Sequence, residues 1–158
     1  MLLLTSINDL IQVITDATSD IEVHASWVDN AAGTITPGRT NTASITTATT
    51  TTIVAAPAGS TQRNVKNLNF HNNHASTACL LRIVHTDGTV VSELMHTTLL
   101  AGEFLSFAED GSWTHRDANG GSYPYIPLIA SQALMEAASD VTQAVTPGRM
   151  KFHPGVAK

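Results

Sequence analysis

The chain carries seven histidines among its 158 residues, and these, with nearby serines and acids, are the side chains that could do chemistry. His71-Asn72-Asn73-His74 holds the tightest pair. Zinc chemistry would need two such rings converging at about 2.0–2.1 Å from one ion. On a strand a spacing of three puts the rings on opposite faces, and on a loop nothing fixes them, so polar loop histidines are the expectation. A threefold axis could still gather three copies of one histidine. His24 and His96 could be combined with Ser26, Ser92 or Ser106 and an acid into a nucleophilic relay. No Gly-x-Ser-x-Gly elbow marks a nucleophile, and the Gly-Ser pairs at Gly59, Gly111 and Gly121 sit in turn sequences. Glu109-Asp110 would serve glycoside hydrolysis only with a carboxylate across a cleft, so a solvated turn is the simpler reading. No Gly-rich loop opens a helix as phosphate binding requires. The residues therefore predict no catalytic site, no metal and no cofactor.

Composition narrows the partners. Charged residues make up 13% of the chain against a usual ~25%, while hydrophobic residues make up 42%. Abundant Thr, Ser, Ala and Asn fit a β-rich protein with neutral polar faces. A formal net charge of -5, with eight Lys and Arg scattered along the chain, supplies no basic stripe for nucleic acid. Cys79 is the only cysteine and, beside Ala78 and Leu80-Leu81, reads as a small buried apolar residue. Met1-Leu2-Leu3-Leu4 lacks both the basic flank and the length of a signal peptide or membrane span, which predicts assembly in a cytoplasm and no membrane partner.

The elements that must position these side chains are short strands. Leu10, Ile11, Val13 and Ile14, a turn at residues 16–20, then Ile21, Val23, Ala25 and Trp27 opposite Glu22, His24, Ser26 and Val28 read as a hairpin. Residues 30–33 and Thr36-Pro37-Gly38-Arg39 read as two further turns. Residues 44–56, nearly all Thr, Ile, Val and Ala, need covering by a strand or another subunit. In residues 65–70 alternation puts Leu68 and Phe70 on the core face, with Val65, Asn67 and Asn69 opposite. Residues 71–77 read as a polar loop. Residues 78–85 and 90–100 form strands around the Asp87-Gly88 turn, the clearest hairpin signal in the chain. Ala101-Gly102-Glu103 and Asp110-Gly111 set off two more strands, and Asn119-Gly120-Gly121 ends the β region. The even spacing predicts an antiparallel β-sandwich, with a jelly roll as one form of it. Trp27, Trp113, Phe70, Phe104 and Phe107 read as core, which leaves no aromatic platform for carbohydrate.

After Tyr123-Pro124-Tyr125-Ile126-Pro127, extended because two prolines fix φ, the one helix candidate runs over about 128–141. Its Ala-rich stripe is under four turns and needs packing from the β domain or from symmetry mates. Thr-Pro-Gly-Arg recurs at residues 146–149, as reused turn chemistry and not as a repeat. The last residues end abruptly, as a connector that expects something to follow it or to hold it. The order Ala130-Ser131-Gln132-Ala133, Met135-Glu136-Ala137, Ser139-Asp140-Val141-Thr142 and Val145-Thr146-Pro147-Gly148-Arg149 resembles the linker of bacteriophage tail fibre and tail spike proteins. Phe152-His153-Pro154-Gly155-Val156-Ala157-Lys158 is similar to the start of the region that often follows it. The β region, at Ser60-Thr61-Gln62-Arg63-Asn64-Val65-Lys66, His85-Thr86-Asp87-Gly88-Thr89 and Leu99-Leu100-Ala101-Gly102-Glu103, is similar to small β domains of phage virion proteins.

The resemblance implies a β domain over residues 1–122 and a linker, helix and C-terminal extension over 123–158. It implies a non-enzymatic virion protein, assembled in the infected bacterium as a homotrimer, whose partners are a tail adaptor or nozzle protein or the capsid. The expected role is the virion-anchoring part of a tail fibre. The alternative is a head decoration or cement protein, and a carbohydrate-binding or hydrolytic receptor domain is the third and disfavoured class. Tyr123, Tyr125, Leu128, Leu134, Val141, Arg149 and Phe152 are the expected subunit or virion contacts.

Overall fold

A computed structural model describes residues 1–123. Its strands are β1 (Leu2–Leu4), β2 (Leu10–Thr15), β3 (Ile21–Ala31), β4 (Thr34–Ile45), β5 (Thr50–Val54), β6 (Thr61–Asn72), β7 (Cys79–Thr86), β8 (Val91–Leu99), β9 (Phe104–Phe107) and β10 (Trp113–Arg116). The fold is mainly β, with two antiparallel sheets and no helix among the described residues. Sheet A runs β10-β9-β6-β3-β4, and β1 also pairs with β6; sheet B runs β5-β2-β7-β8. The expected helix over about 128–141 lies outside the described residues.

Alternation fixes which face each strand buries. Ile11 and Val13 of sheet B join Ile21, Val23, Ala25, Leu68, Phe70, Leu105 and Phe107 of sheet A and Leu81 and Ile83 of sheet B in a single apolar cluster. Cys79 is part of it, as the sequence predicts. Each fully buried Leu, Ile or Phe there stabilises the fold by about 1.5–3 kcal/mol before chain entropy is counted.

Three tight hairpins, β3-β4, β7-β8 and β9-β10, stay within one sheet, and every other connection crosses between sheets. The expected β2-β3 hairpin is therefore corrected: β2 pairs with β5 and β7, whereas β3 pairs with β4 and β6. Two strands that each present one apolar face can lie side by side or meet across a core, and alternation alone does not separate these cases.

The expected turn at Thr36-Pro37-Gly38-Arg39 is corrected as well, because these residues lie inside β4. As the outer strand of sheet A, β4 tolerates Pro37, whose missing N–H costs no ladder bond on an edge. Gly38 sits opposite Trp27, and a Cβ there would overlap the indole. The glycine is thus a requirement of close approach. The turn that does exist is Ala32-Gly33, both at positive φ (49° and 88°), with the Gly33 amide donating to Asn30 Oδ1 at 3.0 Å.

Val65 was expected opposite Leu68 and Phe70, yet all three are fully buried. Ser26 pairs with Asn67 and Trp27 with Val65, so Lys66 is an extra residue in β6 and the bulge returns Val65 to the core face. The bulge also divides one edge of β6, with β1 pairing at residues 63–65 and β9 at residues 68–71. Beyond it, Asn72 is fully buried, and its side-chain amide donates to the carbonyls of Thr77 and Leu99 at 2.8 and 3.0 Å. These bonds tie the end of β6 in sheet A to the end of β8 in sheet B. Asn72 is thus the last residue of a strand and a core anchor, not part of a polar loop as the sequence predicts.

Candidate functional site: a polar groove on the outer face of sheet A

The side chains of sheet A that point away from the core come into register as two rows. Asn41 of β4, His24 of β3, Asn69 of β6 and Ser106 of β9 are successive cross-strand partners. One step along, Glu22 of β3, His71 of β6, Phe104 of β9 and Arg116 of β10 form the second row. Both rows line a groove of about 800 Å³, together with Thr42, Ala43 and Ser44 at one side and Gly120 at the other.

Contacts within the rows orient the side chains. His24 Nδ1 and Asn41 Oδ1 are 2.6 Å apart. Asn69 donates its amide to Asn67 Oδ1. The His71 ring stacks on Phe104 with centroids 4.2 Å apart and planes 6° from parallel, and its Nδ1 stands 3.6 Å from Glu22 Oε2. That separation is beyond hydrogen-bond length, so the pair acts through charge only when the imidazole is protonated. Phe104, expected in the core, instead half-emerges on the solvent side of β9, because Leu105 and Phe107 take the inward positions of that strand.

The other candidates from the sequence are dispersed. His74 does not converge with His71; its Nδ1 accepts the amides of Ser76 and Thr77 at 3.1 and 2.9 Å. Among the described residues there is no group of three or more His, Cys, Asp or Glu side chains able to hold a metal ion. His96 pairs with Glu93 at 2.6 Å, and Glu93 also accepts from Arg82 at 2.7 Å on the exposed face of sheet B. Hydrogen bonds from Arg82 and His96 hold the Glu93 carboxyl below its usual range. His24 and His96 lie on strands of different sheets. Glu109 pairs with Lys66, while Asp110 accepts the amide of Ser112 at 2.8 Å and closes the β9-β10 turn.

No family model, curated protein or solved structure matches this chain. Any role for the groove therefore has to come from its own geometry.

A second cluster gathers at the end of the β unit. Glu103, 4% exposed at its side chain, accepts the Leu100 amide at 2.8 Å and His115 Nε2 at 2.9 Å on one oxygen, and the Tyr123 hydroxyl on the other. Burial pushes this carboxyl up, but the bonds from Tyr123, the Leu100 amide and His115 outweigh it and hold the group below the usual range. Thr97 Oγ1 lies 3.4 Å from His115 Nδ1, which completes the order hydroxyl, imidazole, carboxylate. Both oxygens of Glu103 are committed to structural partners, so the arrangement acts as a clasp joining β8, the turn before β9, β10 and Tyr123. Tyr123, an expected contact residue, is 49% exposed, yet its hydroxyl is held by Glu103 and its ring leans on His115 with centroids 4.7 Å apart. The remaining expected contacts, Tyr125, Leu128, Leu134, Val141, Arg149 and Phe152, lie outside the described residues.

The groove residues share one sequence signal. They are the outward members of alternating strands, and beside Thr42, Ser44 and Ser106 they include Asn, His, Glu, Phe and Arg where a merely solvated face would suffice with Thr and Ser alone. Only the strand order brings five separate segments together.

Proposed function

We propose that this chain is a structural protein of a tailed bacteriophage virion, the virion-anchoring part of a tail fibre. The β unit would be a sandwich of the jelly-roll kind, held in a homotrimer against a tail adaptor or nozzle protein. Residues 124–158 would be the linker toward a distal part. One observation carries this reading: the compact unit closes at Tyr123, and all of the linker-like sequence comes after it. The Glu103-His115-Tyr123 clasp fits such a role, since a fibre transmits load into its anchor at the residue where the linker departs.

A head decoration protein is the alternative within the same class. It would hold its neighbours through termini that run over them, and β1, paired with β6 over Leu2–Leu4, is instead tied into sheet A. That pairing favours the fibre anchor. Immunogold labelling of particles with an antibody against Met1–Tyr123 separates the two. Gold at the tail is expected; gold spread over the head would replace the anchor with a decoration protein, and unlabelled particles would end both readings.

A further inference from the structure

We infer that the groove on the outer face of sheet A is a binding site for a neutral saccharide. Its volume of about 800 Å³ lies within the ~300–1,000 Å³ range of small-ligand sites. The pairing of His24 Nδ1 with Asn41 Oδ1 leaves His24 Nε2 and the Asn41 amide to face a ligand. Asn69, whose amide is engaged by Asn67, presents its carbonyl oxygen, and Ser106 beside it offers a hydroxyl. Because Asn41 Oδ1 can only accept, the neutral His24 ring donates from Nδ1 and leaves Nε2 as an acceptor. The row thus offers the Asn41 amide as a donor, His24 Nε2 and Asn69 Oδ1 as acceptors and the Ser106 hydroxyl as either, on neighbouring strands about 5 Å apart. Sugar hydroxyls, each of which both donates and accepts, match such a mixed neutral row.

The apolar and charged members point the same way. Phe104, braced by its stack on His71, lines the groove and can cover the C–H face of a pyranose. Among the described residues that line the groove Glu22 is the only carboxylate and Arg116 the only fixed cation, so their charges almost cancel. A phosphate or polyanion would need a positive excess. The described lining residues supply one carboxylate where glycoside hydrolysis uses a pair, so the inference is one of binding.

The inference does not rest on the virion reading, because a fibre anchor could leave this face empty. Its test is the full chain on a microarray of neutral, sulfated and phosphorylated oligosaccharides, followed by calorimetry with the best neutral binder. We expect neutral oligosaccharides to be retained. Asn69→Ala and His24→Ala should each weaken binding about tenfold, the loss expected of one good hydrogen bond. Thr98→Ala, on the exposed side of sheet B, should bind as the unaltered chain does. Circular dichroism checks that each variant is folded. Retention of no neutral glycan, retention of anionic glycans alone, or unchanged affinity in both folded groove variants would overturn the inference.

Discussion

Arg63 grips Asp29 through two parallel hydrogen bonds, Nε to Oδ1 and Nη2 to Oδ2, each 2.8 Å long. Its guanidinium also lies 4.4 Å from the centre of the Trp27 ring and donates to the Ala55 carbonyl at 2.8 Å. One side chain thus joins β3 and β6 to the segment leaving β5. With 11% of Arg63 and 22% of Asp29 exposed, the pair is sheltered enough to count for more than a solvated ion pair.

Removing Arg63 should therefore be costly. Arg63→Ala is expected to lower unfolding free energy by about 2 kcal/mol, measured by urea denaturation at pH 7, since it strands a sheltered carboxylate and removes a stacked cation. The hydrogen bonds from Arg63 hold the Asp29 carboxyl below its usual range, against the upward push of burial. A depressed acid contributes stability that is complete above its unfolded value, about 3.9, and is lost as pH falls through the folded value. Asp29→Asn should flatten that part of the acid limb.

Gly38 tests the correction to the fold. In a Pro-Gly turn, Gly38→Ala would cost only the strain of a positive φ, about 1 kcal/mol, and leave tryptophan fluorescence unchanged. Beneath the Trp27 indole, the added methyl forces the ring to move, with an expected loss of about 1–3 kcal/mol and a red shift of tryptophan fluorescence.

The clasp makes its own prediction. The hydrogen bond to Glu103, followed by burial and the nearby carboxylate charge, raises the Tyr123 hydroxyl above its ordinary value near 10. In a Tyr125→Phe background, which leaves Tyr123 as the chain's single tyrosine, absorbance titration at alkaline pH should show late ionisation. Glu103→Gln should bring it back toward the ordinary value. Glu103 is itself depressed, so its contribution to stability is present above its unfolded value and is lost in acid as pH falls through the folded one.

Much of the strand pattern was legible in the sequence because burial writes a period of two into each segment, as in Ile11-Val13 or Ile21-Val23-Ala25. Asp87-Gly88 was legible because a tight turn needs the positive φ that Gly88 adopts. Which sheet a strand joins was not legible, since the five residues after Thr15 can reverse the chain or carry it across the core. Pro37-Gly38 misled because turn chemistry and edge-strand chemistry use the same residues, and only Trp27 shows which applies. The Lys66 bulge left no mark beyond one position out of phase. Groove residues such as His24, Asn69 and Phe104 were visible singly, but their convergence is a property of the order β4-β3-β6-β9-β10, which no local pattern encodes.

We propose that the β unit is assembled through the sequence that follows it. Light scattering on the full chain and on Met1–Tyr123 tests it most directly. A trimer is expected for the full chain and a folded monomer for the shorter one; a full chain that stays monomeric, or a trimer that survives truncation, would rule this mode of assembly out.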